Sequence, residues 1–329
     1  MTESTKLQCI GVIGLGLLGA DIVALALSRG FTVLAVDLNP DAREQLPQRI
    51  SSALSELIQH GAAQQGDFDQ WQDRLQISDS CKLFSPSEGN CDFVIESVAE
   101  DAKIKASVFA AIEEAVAEHT PISTNTSGLP LSDFQKNLKH PGRFLGMHFC
   151  QPAYAQPFLE IIRGEQTSDA AFGAAHRLGL QLGKEPCLIN RDLPGFVVNR
   201  IGYAMYREAA NLVAEGVSDY ASIDNAVRNT LGVFMSMTGP FRWMDISGGP
   251  ALYGKAMKTI WPTLSNASKP PEFIETMITD DDRGASNGKG FYHYPPQSAE
   301  QWDKAFRHHV WKLLELRREE ESQQDFPDI

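Results

Sequence analysis

Apolar residues fall into two regimes along the chain. Up to about residue 190, short apolar runs alternate with segments whose apolar positions recur every three or four residues; beyond it the spacing is helical almost to the end. Residues 8–37 hold two apolar runs separated by an amphipathic segment. Further runs at 75–78, 91–97, 120–124, 143–149, 158–162 and 186–189 predict strands, and 91–97 (CDFVIES) is apolar enough for a strand covered on both faces. Leu46, Ile50, Leu54 and Leu57 give 40–74 a helical pattern longer than a minimal crossover, which predicts an extra helical pair projecting from the sheet. Ile104, Val108, Ile112 and Val116 predict a helix over 102–118, and another is expected over 169–182. This alternation predicts an α/β fold with a doubly wound, mostly parallel sheet.

The pattern changes at Asp192-Leu193-Pro194-Gly195, where Pro194 suits the first residue of a helix. Helices are expected at 195–215, 219–230, 240–260, 271–279 and 299–320, the last with Trp302, Phe306, Val310, Leu313 and Leu314 on one side. A boundary near 191 then separates an α/β domain, residues 1–191, from an all-helical C-terminal domain, residues 192–329. The acidic, polar tail 319–329 is expected to fray.

The glycines of 8–37 sharpen this picture. Gly14-Leu15-Gly16-Leu17-Leu18-Gly19 stands between the first apolar run and the amphipathic segment. In a Rossmann-type βαβ unit Gly14 permits the tight turn, Gly16 lets the backbone approach a pyrophosphate, and Gly19 allows close helix–strand packing. Free N–H groups at the helix start face the diphosphate. Asp37 ends the second run, where its carboxylate can accept from both ribose hydroxyls and repel a 2′-phosphate. The cofactor expected is NAD rather than NADP; a glycine turn without the flanking strands and the acid would imply only a turn.

Composition narrows the class. Hydrophobic content of 43% with 22% charged residues is that of a globular protein, and no run has the length of a membrane helix. The start, MTESTKLQ, is polar, so no secretory signal is expected. Cys9, Cys81, Cys91, Cys150 and Cys187 are odd in number and irregularly spaced, which fits reduced thiols in the cytoplasm and no metal site. A net charge of -13 argues against nucleic acid and anionic membranes as partners.

A dinucleotide domain supplies an electron acceptor, so oxidation of an alcohol needs a proton acceptor elsewhere in the chain. Of eight histidines, His148 alone ends an apolar strand, at the sheet edge where α/β folds bind ligands. By itself it would read as a core histidine. Glu160 lies inside another apolar run, Phe158-Leu159-Glu160-Ile161-Ile162, where a carboxylate is costly without a partner; an adjacent antiparallel or looped-back strand would bring it to His148. Ser123-Thr124-Asn125-Thr126-Ser127 and Asn199 offer hydroxyl and amide groups near the same edge, although a turn and a helix-surface amide would look alike.

These residues resemble the L-3-hydroxyacyl-CoA dehydrogenases and their relatives acting on small hydroxy acids such as gulonate and carnitine. The likeness runs from Cys9 to Tyr294 through GLGLLG (14–19), Asp37, VIESVAED (94–101), STNTSG (123–128), His148-Phe149-x-x-Pro152 with Glu160, LPGFVVNR (193–200), Gly239-Pro240-Phe241 and Gly288-Lys289-Gly290-Phe291-Tyr292. The resemblance implies His148 as general base, oriented by Glu160 through its other ring nitrogen, with Ser127 and Asn199 holding the reacting oxygen. It implies Glu100, Lys105 and Asn125 on the nicotinamide half of the cofactor, and a helical domain that closes over the crevice and forms a homodimer.

The departures concern contacts to the substrate or the cofactor. Gln151 stands where the family usually has asparagine, Ser286 replaces a basic residue, and Gly249-Pro250 stiffens a loop. The 40–74 segment, which in the family contributes to the CoA cleft, contains no lysine, and its turn reads Gly61-Ala62-Ala63-Gln64-Gln65-Gly66-Asp67. The family-default expectation is oxidation of a 3-hydroxyacyl-CoA to the 3-keto product, in fatty acid metabolism. The alternative is the same chemistry on a free small hydroxy acid or alcohol (a sugar acid, carnitine-like or pyridine derivative), or a non-catalytic crystallin-like protein that kept the fold.

Overall fold

In the computed structural model, which describes residues 7–323, the apolar runs form one eight-stranded sheet. Its strands are β1 (Cys9–Ile13), β2 (Thr32–Val36), β3 (Leu75–Ser78), β4 (Phe93–Glu96), β5 (Ile122–Thr124), β6 (Phe144–Phe149), β7 (Phe158–Ile162) and β8 (Glu185–Ile189). The order is β3-β2-β1-β4-β5-β6-β7-β8, so the winding reverses between β1 and β4, where such sheets open a ligand crevice at their carboxyl edge. Every neighbouring pair is parallel except β6 and β7. The expected doubly wound, mostly parallel sheet of Rossmann type is therefore present, with a helical C-terminal region after it.

The helices α1 (Leu17–Ser28), α2 (Pro40–Gln59), α3 (Ala102–Ala115), α4 (Leu131–Gln135) and α5 (Asp169–Gln181) accompany the sheet. Helix starts follow local chemistry: the Asn39 side chain accepts from Asp41 N, Asp101 from Lys103 N and Ile104 N, and Ser168 from Ala171 N. The segment read as amphipathic, α1, is buried along Gly19–Leu27, because apart from Asp21 its residues there are apolar on every face. The stripe expected on α3 also shifts. A step of four residues drifts about 40° around a helix, so the Ile104 end slides out to solvent while Lys105, Phe109, Ile112 and Glu113 take the buried face. Phe109, Phe134 and Phe144 then meet edge to face, with Phe109 ring centroids 5.1 and 4.8 Å from the other two.

The helical pair expected over 40–74 is not formed. A single long helix, α2, buries Leu46, Ile50, Leu54 and Leu57; after it come two 3₁₀ turns, Gln65–Phe68 and Trp71–Arg74, with Trp71 buried. Gly61 at φ +61° ends the helical path, and 60–70 has no apolar period to support a second helix.

The chain divides into two compact units, Met1–Arg200 and Ile201–Ile329. Residues around 192–199, grouped with the helical region on sequence grounds, hydrogen-bond within the first unit: Asp192 accepts from Ser132 N, and Asn199 donates to Ser127 O. Pro194 does not start a helix. Gly195 and Phe196 are left-handed (φ +78° and +49°), so α6 (Val198–Ala214) begins after them. The helices that follow are α7 (Tyr220–Asn229), α8 (Leu231–Met237), α9 (Pro240–Ile246), α10 (Pro250–Ile260), α11 (Glu272–Thr279) and α12 (Ser298–Gln323). One expected helix over 240–260 is two, because Gly248 and Gly249 take positive φ and Pro250 starts a new helix. On α12 the expected stripe does not form the buried side: Trp302 and Phe306 are exposed, and Trp311 is buried instead. Among the described residues no helix is long and apolar enough to cross a membrane, and no group of three side chains could hold a metal. Residues 319–323, expected to begin a fraying tail, continue α12; the first residues of the expected polar start and the rest of that tail, 1–6 and 324–329, lie outside the described residues.

Candidate active site

The glycine turn has the shape its sequence requires. Gly14 has φ +90°, and a Cβ there would lie 2.5 Å from the Ser97 backbone; at Gly19 it would lie 1.8 Å from the Gly14 carbonyl oxygen. A Cβ at Gly16 would meet nothing within 4 Å, so the loop leaves open space at the α1 N-terminus, where a diphosphate can reach free N–H groups. Leu15 is fully buried and anchors the loop, Leu18 is half-buried and Leu17 is exposed. Asp37 follows β2; its Oδ2 accepts from Leu15 N at 2.7 Å and its Oδ1 from Asn39 N at 2.8 Å, which fixes the carboxylate beside the turn. The open cradle and this fixed acid fit a dinucleotide with a free ribose.

At the edges of β6 and β7 the antiparallel register places His148 opposite Glu160. Glu160 Oε2 lies 2.7 Å from His148 Nδ1, and both side chains are buried. Glu160 Oε1 accepts from Val197 N and Val198 N, each at 2.9 Å, at the start of α6. Burial by itself would raise this carboxyl; the bonds from His148, Val198 and Val197 outweigh it and hold Glu160 below the usual carboxylate range. The Phe196 ring, 5.9 Å from the His148 ring between centroids, packs on the imidazole. Nδ1 is thus committed to Glu160, and Nε2 is left as the nitrogen that can take up a proton.

The remaining expected residues form a connected set. Asn125 Oδ1 accepts from Phe149 N at 2.8 Å, which ties the end of β5 to the residue after His148, and Asn125 Nδ2 donates to Ser97 Oγ. Asn199 Nδ2 donates to Ser127 O at 2.8 Å. Glu100 Oε1 accepts from Thr126 Oγ1 and Ser127 N. The Ser127 side chain is exposed. Lys105 is 1% exposed, with Nζ 2.8 Å from Glu96 Oε1, 3.4 Å from Glu100 Oε2 and 3.4 Å from Val98 O. Nζ thus donates to Glu96 Oε1 and Val98 O and pairs electrostatically with Glu100 Oε2.

Glu96, not among the residues expected from the sequence, is fully buried and also accepts from Thr124 Oγ1 at 2.6 Å. Its signal was the one that marked Glu160: an acid inside an apolar strand. Thr126 and Phe196, both buried, carried no comparable signal. Gln151, noted as a departure, lies in the link after His148, where its carbonyl accepts from Gln156 Nε2. Gly249-Pro250 forms the break between α9 and α10, and Ser286 donates to Arg283 O.

Known proteins share both the sequence pattern and the fold. The family model "3-hydroxyacyl-CoA dehydrogenase, NAD binding domain" matches residues 9–193, and that of the family's C-terminal domain matches 195–294. L-carnitine dehydrogenase of Pseudomonas putida is 32% identical over 87% of this chain and 88% of the relative. The crystal structure of 5-formyl-3-hydroxy-2-methylpyridine 4-carboxylic acid 5-dehydrogenase, described as an NAD⁺-dependent dismutase, superposes with a TM-score of 0.84 at 29% identity, covering 95% of this chain and 98% of its own. The (S)-3-hydroxybutyryl-CoA dehydrogenase of Ralstonia eutropha superposes with a TM-score of 0.73 at 28% identity, covering 88% of this chain and 100% of its own. With both domain models matched in order and the glycine turn and Asp37 in place, the chain belongs to the 3-hydroxyacyl-CoA dehydrogenase family and is an NAD-dependent oxidoreductase acting on CH–OH groups.

Proposed function

We propose that the chain oxidises the 3-hydroxy group of a small substrate to a ketone, with His148 as the general base. The observation that carries this reading is the 2.7 Å contact of His148 Nδ1 with Glu160. It holds the imidazole in the tautomer whose Nε2 is free to accept the hydroxyl proton, and it places an anion beside the imidazolium that results. Bound NAD supplies the hydride acceptor. Ser127 and Asn199 hold the reacting oxygen as it passes from alcohol to ketone, and Glu160 keeps Asn199 in place through the N–H groups of Val197 and Val198. Glu100, Lys105 and Asn125 line the nicotinamide side, Lys105 from behind Glu100.

The family model favours a 3-hydroxyacyl-CoA as substrate. A free hydroxy acid, carnitine-like or pyridine-derived, is favoured by two other observations. The CoA-cleft segment is one helix followed by short 3₁₀ turns without a lysine, and similar proteins include a carnitine dehydrogenase and a pyridine-carboxylate dehydrogenase. Comparing kcat/KM for 3-hydroxybutyryl-CoA with that for 3-hydroxybutyrate and carnitine separates the two. If the missing lysines decide the matter, the free acids lead by tenfold or more, about 1.4 kcal/mol; the CoA ester leading by that margin overturns the free-acid reading.

We further propose that two copies pair through the helical unit, in a cytoplasmic setting where the five unpaired cysteines stay reduced. Tyr203, Phe241, Trp261 and Trp302 are each more than 60% exposed there, more aromatic surface than a lone chain normally leaves in water. Sedimentation as a monomer at micromolar concentration would contradict this.

A further inference from the structure

One buried charge takes no part in the chemistry above. Lys184, between α5 and β8, is 5% exposed, and its Nζ donates to the carbonyl oxygens of Ala153 and Gln156. Both carbonyls belong to residues 150–157, the link that joins the His148 strand to the Glu160 strand. Other elements hold the same link. Asp21 of α1 accepts from Ala153 N at 3.0 Å, Glu56 of α2 accepts from Tyr154 Oη at 2.6 Å, and Glu185 N donates to Pro157 O.

Register explains why such a link needs holding. A two-residue hairpin turn sets the pairing of its strands by its own geometry, whereas a long connection leaves that pairing to other contacts. A slip of one residue between β6 and β7 would turn Glu160 to the opposite face from His148. The buried carbonyls of the link need donors, and an ammonium is a costly one to bury. Burial first, and Arg29 second, push Lys184 down to about 7, against the opposing pull of Asp21 and Cys150, so near neutral pH it is partly a neutral amine. A neutral amine still carries two N–H groups, one for each carbonyl.

We propose that Lys184 is a positioning residue for the His148–Glu160 pair: by clamping Ala153 and Gln156 it fixes the link between their strands, and so the register that seats His148 Nδ1 on Glu160. This rests on the reading of His148 as general base.

Lys184→Met keeps the length and apolar stem and removes both donors. Expected are a kcat lower by about 10- to 100-fold, as for a misplacement near 1 Å, an NADH Kd within twofold of wild type, and a KM for the hydroxy substrate little changed, so that the loss falls on kcat alone. An unchanged kcat overturns the proposal. So does a parallel loss of kcat and NADH affinity, which marks general loosening of the fold. If Lys184→Met does not fold, Lys184→Gln, with two N–H donors on a shorter arm, is read by the same three measurements, with smaller changes of the same sign expected. His148→Gln separates the two levels: full activity there removes the site reading itself, whereas an inactive His148→Gln beside a normal Lys184→Met removes only the role of Lys184.

Discussion

His148→Gln is expected to lower kcat by about 10²- to 10⁴-fold, the usual worth of a positioned general base, while NADH binding stays within twofold of wild type. The split follows from where the parts sit. Cofactor affinity is lodged in the Gly14–Gly19 turn and Asp37, whose hydrogen bonds to Leu15 N and Asn39 N do not involve His148. Glutamine occupies a similar volume and can donate to Glu160, so the buried carboxylate keeps a partner and the fold is not asked to hold an orphaned charge. What is lost is the ring nitrogen that takes the hydroxyl proton. Steady-state rates with NAD and fluorescence titration with NADH read the two halves separately; an equal loss of both would mean that the substitution disturbs the sheet edge rather than the chemistry.

Gly19→Ala is expected to weaken NADH binding at least tenfold, about 1.4 kcal/mol, and to lower the unfolding midpoint as well. The added Cβ would stand 1.8 Å from the Gly14 carbonyl oxygen, backbone that has no rotamer with which to move aside. Either α1 retreats from β1 or the turn opens, and each displaces the N–H groups that face the diphosphate. Gly16→Ala makes an instructive companion. Its Cβ meets no protein atom, so folding should be little affected and any loss should appear only when cofactor is added. Equal NADH affinities for wild type and Gly19→Ala would show that the turn does not carry the binding.

How far these sites could be read from the chain depended on whether their signal was local. The βαβ unit was readable because its glycines, strands and acid lie within thirty or so residues and each has one physical job. Glu160 was readable because a carboxylate inside an apolar strand demands a partner, and the antiparallel register then delivered His148. Glu96 carried the same mark inside β4 but was absorbed into the strand pattern. Lys105 was reached only through the family resemblance and Lys184 not at all: a lysine on a helix or just before a strand looks solvated, and only tertiary packing buries it. The start of α6 was misplaced because Pro194 is a sound local helix signal, whereas the left-handed Gly195 and Phe196 accompany the turn that aims the Val197 and Val198 N–H groups at Glu160. The second helix over 60–74 was an overextension of a real period that stops at Gly61.

The most direct test of the central claim, hydride transfer from a CH–OH group to NAD with His148 taking the proton, is the fate of deuterium placed on the hydroxyl-bearing carbon. Whichever of 3-hydroxybutyryl-CoA and the free hydroxy acids is turned over faster is supplied with that label, together with NAD and either wild type or His148→Gln. The expected result is deuterated NADH in step with ketone for wild type, and almost none of either for the variant. Ketone formed with unlabelled NADH, or label transferred equally fast by His148→Gln, would contradict it.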